Sequence, residues 1–377
     1  MKKKSLLFVF TILSVFGVLY AQTDLQRQEI KANYDLEKLS ILESEMTEKQ
    51  NLNYQRAYEM ADLLGWEKII QSPNGGLAKL VGVNLNDKPL YVTTTNREGG
   101  ITTRANKLHT GGGNGFDLNG EDMIVGMWEV GDANLNHPLL EDRVIQIDNT
   151  SGISDHATHV AGTIIGGGAL NGGATKGMAP LAIIHSYTSQ SDSGEMIAAA
   201  ADGLLISNHS YGYNINSFDL WQIGYYGGNA RGFDNITYNA PYYLPFQSAG
   251  NDRQSGANTG NGGYDYLTGA ALSKNAMVVA AVNEVLNYTG PNSVNMSSFS
   301  SWGPTDDGRI KPDISAKGVN MYSATGATGY SNYSGTSMSS PNAAGSATLL
   351  QQHYNNLNGA FMRSSTLRGL VLHTADE

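Results

Sequence analysis

The chain has 377 residues, enough for two or three domains and a sizeable buried core. Charged residues make up only 15% and glycines number 45, well above the usual ~7%, which excludes a coiled coil or a charged disordered chain and suits a loop-rich globular enzyme. A net charge of −10 excludes nucleic acid or an anionic membrane as the main partner, and the absence of cysteine excludes disulfides, thiol catalysis and zinc–thiolate sites.

Lys2, Lys3 and Lys4 precede an apolar run from Leu6 to Tyr20, and Ala21-Gln22 offers a small residue for cleavage. This pattern predicts a secretory signal peptide over 1–21, with a retained N-terminal anchor as the other reading. The run is short for a membrane span, and no later stretch is apolar enough, so the mature form is expected to be soluble, outside the membrane, and secreted or held at the cell surface. From Asp24 to Trp66, apolar residues at helical spacing (Leu36, Leu39, Leu42, Met46, then Ala57, Met60, Leu63, Leu64) predict one or two amphipathic helices. After Gly75-Gly76, two strands are predicted over Leu77–Val83 and Pro89–Thr95, joined by an Asn-Asp-Lys turn. Residues 97–120, rich in Gly, Asn and Thr, read as a linker into the main domain.

Met123 to Trp128 is an apolar run that fits a strand buried on both faces of a parallel sheet, and it ends in Glu129-Val-Gly-Asp132 with His137-Pro138 beyond. Asp155 to Thr163 carries His156 and His159 among small residues that begin a helix packed closely on the sheet. Two histidines at i and i+3 could ligate a metal, but no third ligand at matching spacing follows. A strand over 182–186, a helix over 195–204, a strand over 205–212, a strand and turn over 244–251 and a buried strand over 274–282 come next. In Tyr333 to Pro341 a glycine permits a tight turn before Ser337, and the helix that follows aims its unpaired N–H groups back at that hydroxyl. An alkoxide or oxyanion there gains roughly 0.3–2 kcal/mol from the helix dipole. Pro341 is expected to strain or kink this helix, which is predicted to reach Tyr354, with a second helix over 365–374. Short strands alternating with helices predict an α/β fold.

Gly335-Thr-Ser-Met-Ser-Ser-Pro341 resembles the serine motif of the subtilisin-like serine peptidases, the subtilases. Asp155 to Thr163 resembles the family's histidine motif with Ala157 for glycine, and Leu244 to Asn251 resembles the strand and turn bearing the oxyanion-hole asparagine. Phe299 to Gly318 resembles the long stretch before the nucleophile, with Lys317 where proline is usual. The resemblance covers roughly 107–377 and implies a three-layer subtilisin-like fold with a mostly parallel sheet over 106–377, preceded by a small α+β propeptide-like region over 22–105. It also implies that the chain stops short of the family's closing C-terminal segment. By resemblance Ser337 is the nucleophile, His156 the general base, Asn251 an oxyanion donor, and Ser210, Tyr211 and Gly212 the strand that pairs with a peptide substrate. The family's aspartate is replaced at the strand end by Glu129; Asp132 is the alternative orienter, and a degraded site the third reading. The implied activity is that of a secreted serine endopeptidase acting on polypeptides, expected as a monomer. No cofactor is required; calcium would enter only as a structural ion, as in many relatives, although no acidic loop with ligand spacing stands out. An inactive peptidase-like binding protein would account for Glu129 and the short C-terminus, and an adhesive surface protein for the Gly/Asn/Ser-rich loops.

Overall fold

The structure, a computed structural model, describes residue 52 and residues 55–376 apart from 72–76, 84–86, 88, 94–95, 149–151, 169–172, 190–191 and 214. The expected signal peptide and the helical pattern through Met46 lie outside the described residues. Residues 55–64 form helix α1, whose Ala57 and Ala61 share a small core with Leu80 and Val83. Strands β1 (Ile69–Gln71), β2 (Leu77–Val83) and β3 (Pro89–Thr93) make an antiparallel sheet in that order. Two of these strands were predicted; β1 is too short to carry a period of its own.

The stretch read as a linker from residue 97 opens in a helix, α2 (Asn96–Thr102). Gly99 lets it approach the main domain: a Cβ there would stand 2.8 Å from Met321 Cε and 2.9 Å from Asn342 Nδ2. Ala105 and Leu108 join the main core.

That sheet has seven strands: β4 (Ile124–Glu129), β5 (Val144–Gln146), β6 (Ile183–Thr188), β7 (Ile206–His209), β8 (Leu244–Ser248), β9 (Met277–Val282) and β10 (Ile314–Lys317). The order is β10-β9-β8-β7-β4-β6-β5, and every pairing is parallel. Both faces are covered, which is why β9 is buried from end to end with an uninterrupted apolar sequence. The chain leaves β4 to one side for β5 and β6, then returns to its other side for β7. The carboxyl end of β4 is therefore the switch point, where open parallel sheets form their binding crevice.

Alternation along the strands sorts side chains between two cores. Val125, Met127, Ile206 and Phe246 face helices α3 (Asp155–Ile165) and α6 (Thr336–Asn358); Trp128 faces α4 (Asp192–Ala201) and α5 (Gly228–Asn239), beside Tyr187, Leu204 and Tyr243. Each fully buried aliphatic side chain contributes about 1.5–3 kcal/mol. A hairpin of β11 (Met321–Thr325) and β12 (Gly329–Tyr333) lies against α3, and Gly162 makes room for it, since a Cβ there would meet Ser323 Oγ at 2.4 Å. Helix α7 (Ser364–Thr374) closes the described chain. The helix predicted at 195–204 runs over 192–201, and the strand predicted at 205–212 ends at His209, where its pairing with Trp128 of β4 and Gln247 of β8 stops.

Candidate active site

Glu129 is the last residue of β4, and period-two alternation turns it to the same face as Val125 and Met127, the face covered by α3. Ser154 caps α3, its side chain accepting from Ala157 N at 3.3 Å, so His156 stands in the first turn directly over the strand end. The two meet there: His156 Nδ1–H donates to Glu129 Oε2 at 2.9 Å. A carboxylate can only accept, so this bond assigns the Nδ1–H tautomer and leaves the lone pair on Nε2. Glu129 is fully buried, while the His156 side chain is 37% exposed. Burial drives the Glu129 carboxyl above the ordinary glutamate value, and the imidazole charge and hydrogen bond pull against that rise. For His156, burial lowers the basicity, but the charge and hydrogen bond of Glu129 outweigh it and the net shift is upward.

Asp132 is placed elsewhere. Its Oδ2 accepts from Gly152 N at 2.9 Å and its backbone exchanges bonds with Gly152 and Ser154, so it pins the loop that leads into α3. Gly131 between the two acids has φ +93°, and a Cβ there would stand 2.7 Å from Ser154 Cβ; the turn that carries Asp132 away from Glu129 requires glycine.

Ser337 occupies the first turn of α6, behind Gly335. Its Oγ donates to the Ser210 carbonyl at 3.1 Å, and Ser210 Oγ donates to the Ser337 carbonyl at 2.9 Å. The second bond has a cause in the sequence. Helix α6 continues through Pro341, whose missing N–H is the one that would have satisfied the carbonyl four residues earlier, that of Ser337. Ser210 supplies the donor instead, and Asn208 Nδ2 in turn donates to Ser210 Oγ at 2.9 Å. Glu129 Oε1 has no hydrogen-bond partner among the described residues. Ser210 follows the end of β7, where His209 pairs with Trp128 beside Glu129, so the histidine–acid pair and the serine stand at neighbouring strand ends. No hydrogen bond joins Ser337 Oγ to His156 among the described residues; the hydroxyl is turned to Ser210.

Asn251 follows β8, exposed at the same edge. Its Oδ1 accepts from Thr336 N at 2.9 Å and Thr336 Oγ1 at 3.1 Å, which fixes the amide with its N–H₂ directed away from Thr336. Tyr211 is half-buried and Gly212 exposed; the Tyr211 carbonyl accepts from Gln247 Nε2 at 2.9 Å. His159 is fully buried, its Nε2 bonded to the Met321 carbonyl at 2.8 Å, its ring stacked on Tyr333, and burial pushes its pKa down to about 4. It packs between helix and hairpin. Among the described residues no three His, Asp or Glu side chains gather as a metal site.

Sequence reasoning missed Asn208 as the support of Ser210, and a signal was present. Strand β7 is buried throughout yet reads Ile-Ser-Asn-His, and buried polar groups need partners. It also missed the partner of Lys317, which is fully buried with Nζ 2.7 Å from Glu98 Oε2 on α2 and 3.3 Å from the Asn320 carbonyl.

Residues 125–377 match the sequence model of the Subtilase family. The PII-type proteinase of Lacticaseibacillus paracasei is 52% identical over 78 residues, 20% of this chain but only 4% of that proteinase. The C5a peptidase of Streptococcus pyogenes is 52% identical over 59 residues, 16% of this chain and 5% of that peptidase. Among solved structures, the Clostridium perfringens CspB protease aligns with a TM-score of 0.57 at 16% identity, covering 73% of this chain and 93% of that one. The self-cleaved protease domain of PatA aligns at 0.53 and 22%, covering 68% and 90%. These two likenesses speak for the fold.

Proposed function

The chain belongs to the subtilase family, and we propose that it is a secreted serine endopeptidase in which Ser337, His156 and Glu129 act together. The observation that carries this reading is the 2.9 Å bond between a wholly buried Glu129 carboxylate and His156, at the sheet's switch point and beside the end of β7 that leads into Ser210, the residue bonded to Ser337. In the proposed reaction Ser337 Oγ turns from the Ser210 carbonyl to His156 Nε2. Its proton passes to Nε2 as Oγ attacks the scissile carbonyl carbon, and Glu129 stabilises the imidazolium. The carbonyl oxygen becomes an oxyanion facing the Asn251 amide and the Ser337 N–H. His156 then returns the proton to the leaving amine, an acyl-enzyme forms at Ser337, and water activated by His156 hydrolyses it.

The same rotation has a second effect. It releases the Ser210 carbonyl to accept an N–H from a peptide laid along Ser210–Gly212, so that substrate pairing and activation of the nucleophile favour each other. Export through a cleaved signal peptide over 1–21 and removal of 22–105 belong to this reading; no helix among the described residues is long and apolar enough to cross a membrane. Calcium has no assigned role in it.

A second reading, an inactive peptidase-like binding protein, is favoured by the Ser337 hydroxyl being turned to Ser210. A fluorophosphonate probe separates the two: covalent labelling of Ser337, abolished in Ser337→Ala, supports the endopeptidase, and no labelling refutes it. Glu129→Ala should lower kcat by about 10⁴-fold, the scale of loss of a triad orienter. Asp132→Ala should leave kcat within severalfold; the reverse pattern would transfer the orienting role to Asp132.

A further inference from the structure

The strand that holds Ser210 also carries polar residues on its other face. Ser207, His209 and Tyr211 alternate with Asn208 and Ser210, so they point away from Ser337 and into the core beside Trp128 and Tyr243. There they form a chain of hydrogen bonds. Tyr243 Oη lies 2.5 Å from Ser207 Oγ, Ser207 Oγ 2.8 Å from His209 Nε2, His209 Nδ1 3.1 Å from Tyr211 Oη, and Tyr211 Oη donates to Asp192 Oδ2 at 2.7 Å. Asp192 opens α4, on a different element from all the rest.

The chain has one direction. The Asp192 carboxylate only accepts, so Tyr211 Oη donates to it and must accept from His209 Nδ1–H. His209 Nε2 then accepts from Ser207, whose oxygen accepts from Tyr243. Every step is satisfied with a neutral imidazole, and His209 is fully buried, with its pKa pushed down to about 3. Its ring stacks on Trp128 at 5.1 Å and meets Phe233 edge-on at 5.2 Å, so it cannot swing to another partner without disturbing the core. Tyr211 is thereby tied at both ends: its hydroxyl by His209 and Asp192, its carbonyl by Gln247.

We propose that Asp192, His209, Ser207 and Tyr243 are positioning residues that hold the segment Ser210–Gly212 in the extended form a peptide pairs with. The inference rests on the reading of that segment as the substrate strand. It places the control of peptide affinity on the face of the sheet opposite the nucleophile. Ser210 is fixed from the Ser337 side and Tyr211 from the Asp192 side, so the strand edge remains extended where neighbouring strands no longer support it.

The test compares Asp192→Ala, which removes the terminal acceptor, with Asp192→Asn, which keeps one. Both are made in full-length protein carrying Ser337→Ala, and binding of a fluorescein-labelled octapeptide selected from a random pool is measured by polarisation. Asp192→Ala should weaken Kd about tenfold, the low end of what one hydrogen bond to a charged acceptor contributes, and Asp192→Asn, which keeps an acceptor, should restore most of it. With Ser337 present, the same change should appear in KM rather than kcat. Equal affinity in the two variants overturns the relay, as does a parallel loss of affinity and melting temperature in both. Fluorophosphonate labelling of the Ser337 protein decides the peptidase reading independently, because the binding comparison needs no turnover. A protein that binds no peptide overturns the relay outright.

Discussion

Replacing Ser210 by alanine tests the joint between the nucleophile helix and the substrate strand. The perturbation removes the donor that serves the Ser337 carbonyl at 2.9 Å, a carbonyl that Pro341 leaves without a helical partner. An unsatisfied buried acceptor costs about 1–3 kcal/mol, and because this site is only partly buried the lower half of that range applies, about 1–2 kcal/mol. In a Pro341→Ala background the new backbone N–H at residue 341 can bond the same carbonyl, so Ser210→Ala should there cost less by about 1 kcal/mol. The lost Asn208 contact is common to both backgrounds and cancels in the cycle. Unfolding in urea should be followed in protein carrying Ser337→Ala, which prevents self-digestion and keeps the backbone carbonyl. The midpoint should fall with an unchanged slope, and the melting temperature by about 2–8 °C, at 2–4 °C per kcal/mol for a domain of this size. Additivity of the two substitutions within about 0.5 kcal/mol would refute the exchange of donors.

Glu98→Ala removes the carboxylate that meets the fully buried Lys317 ammonium at 2.7 Å and should cost about 3–5 kcal/mol, whereas Glu98→Ala with Lys317→Met should recover most of that; calorimetry that finds the single change harmless would show that α2 is not stapled to β10. The acid limb of kcat/KM should lie above pH ~6.5, the ordinary histidine value, because His156 must be neutral to act as base and its pKa is raised. Glu129→Gln should move that limb downward, since burial alone opposes the imidazolium; a limb that stays in place would remove Glu129 as the cause. The linkage has the matching sign: a raised His156 pKa stabilises the fold below the unfolded value and is lost as pH rises through the folded one, which titration of unfolding in Ser337→Ala protein can follow.

Much of the parallel sheet was legible in the sequence because its strands are short apolar runs and its helices start at small or capping residues, patterns that span fewer than about a dozen positions. Glu129 was legible as the strand-end acid for the same reason. The choice between Glu129 and Asp132 turned on a turn geometry, the positive φ at Gly131, which the residues permitted but did not by themselves demand. Two features that stood out in the sequence, a lysine where proline is usual and a proline inside a helix, had no local explanation, and the polar residues of the buried Ile-Ser-Asn-His strand passed unremarked.

Local periodicity determined that strands and helices alternate and which face of β4 each side chain takes, since both follow from backbone geometry between near neighbours. The partners of the odd residues were decided by tertiary structure alone. Lys317 meets Glu98 across 219 positions, the Ser337 carbonyl meets Ser210 across 127, and Tyr211 reaches Asp192 on a helix laid over the opposite face of the sheet. A buried polar group must find a partner, and sequence spacing states that need; only the folded chain brings the partner within about 3 Å.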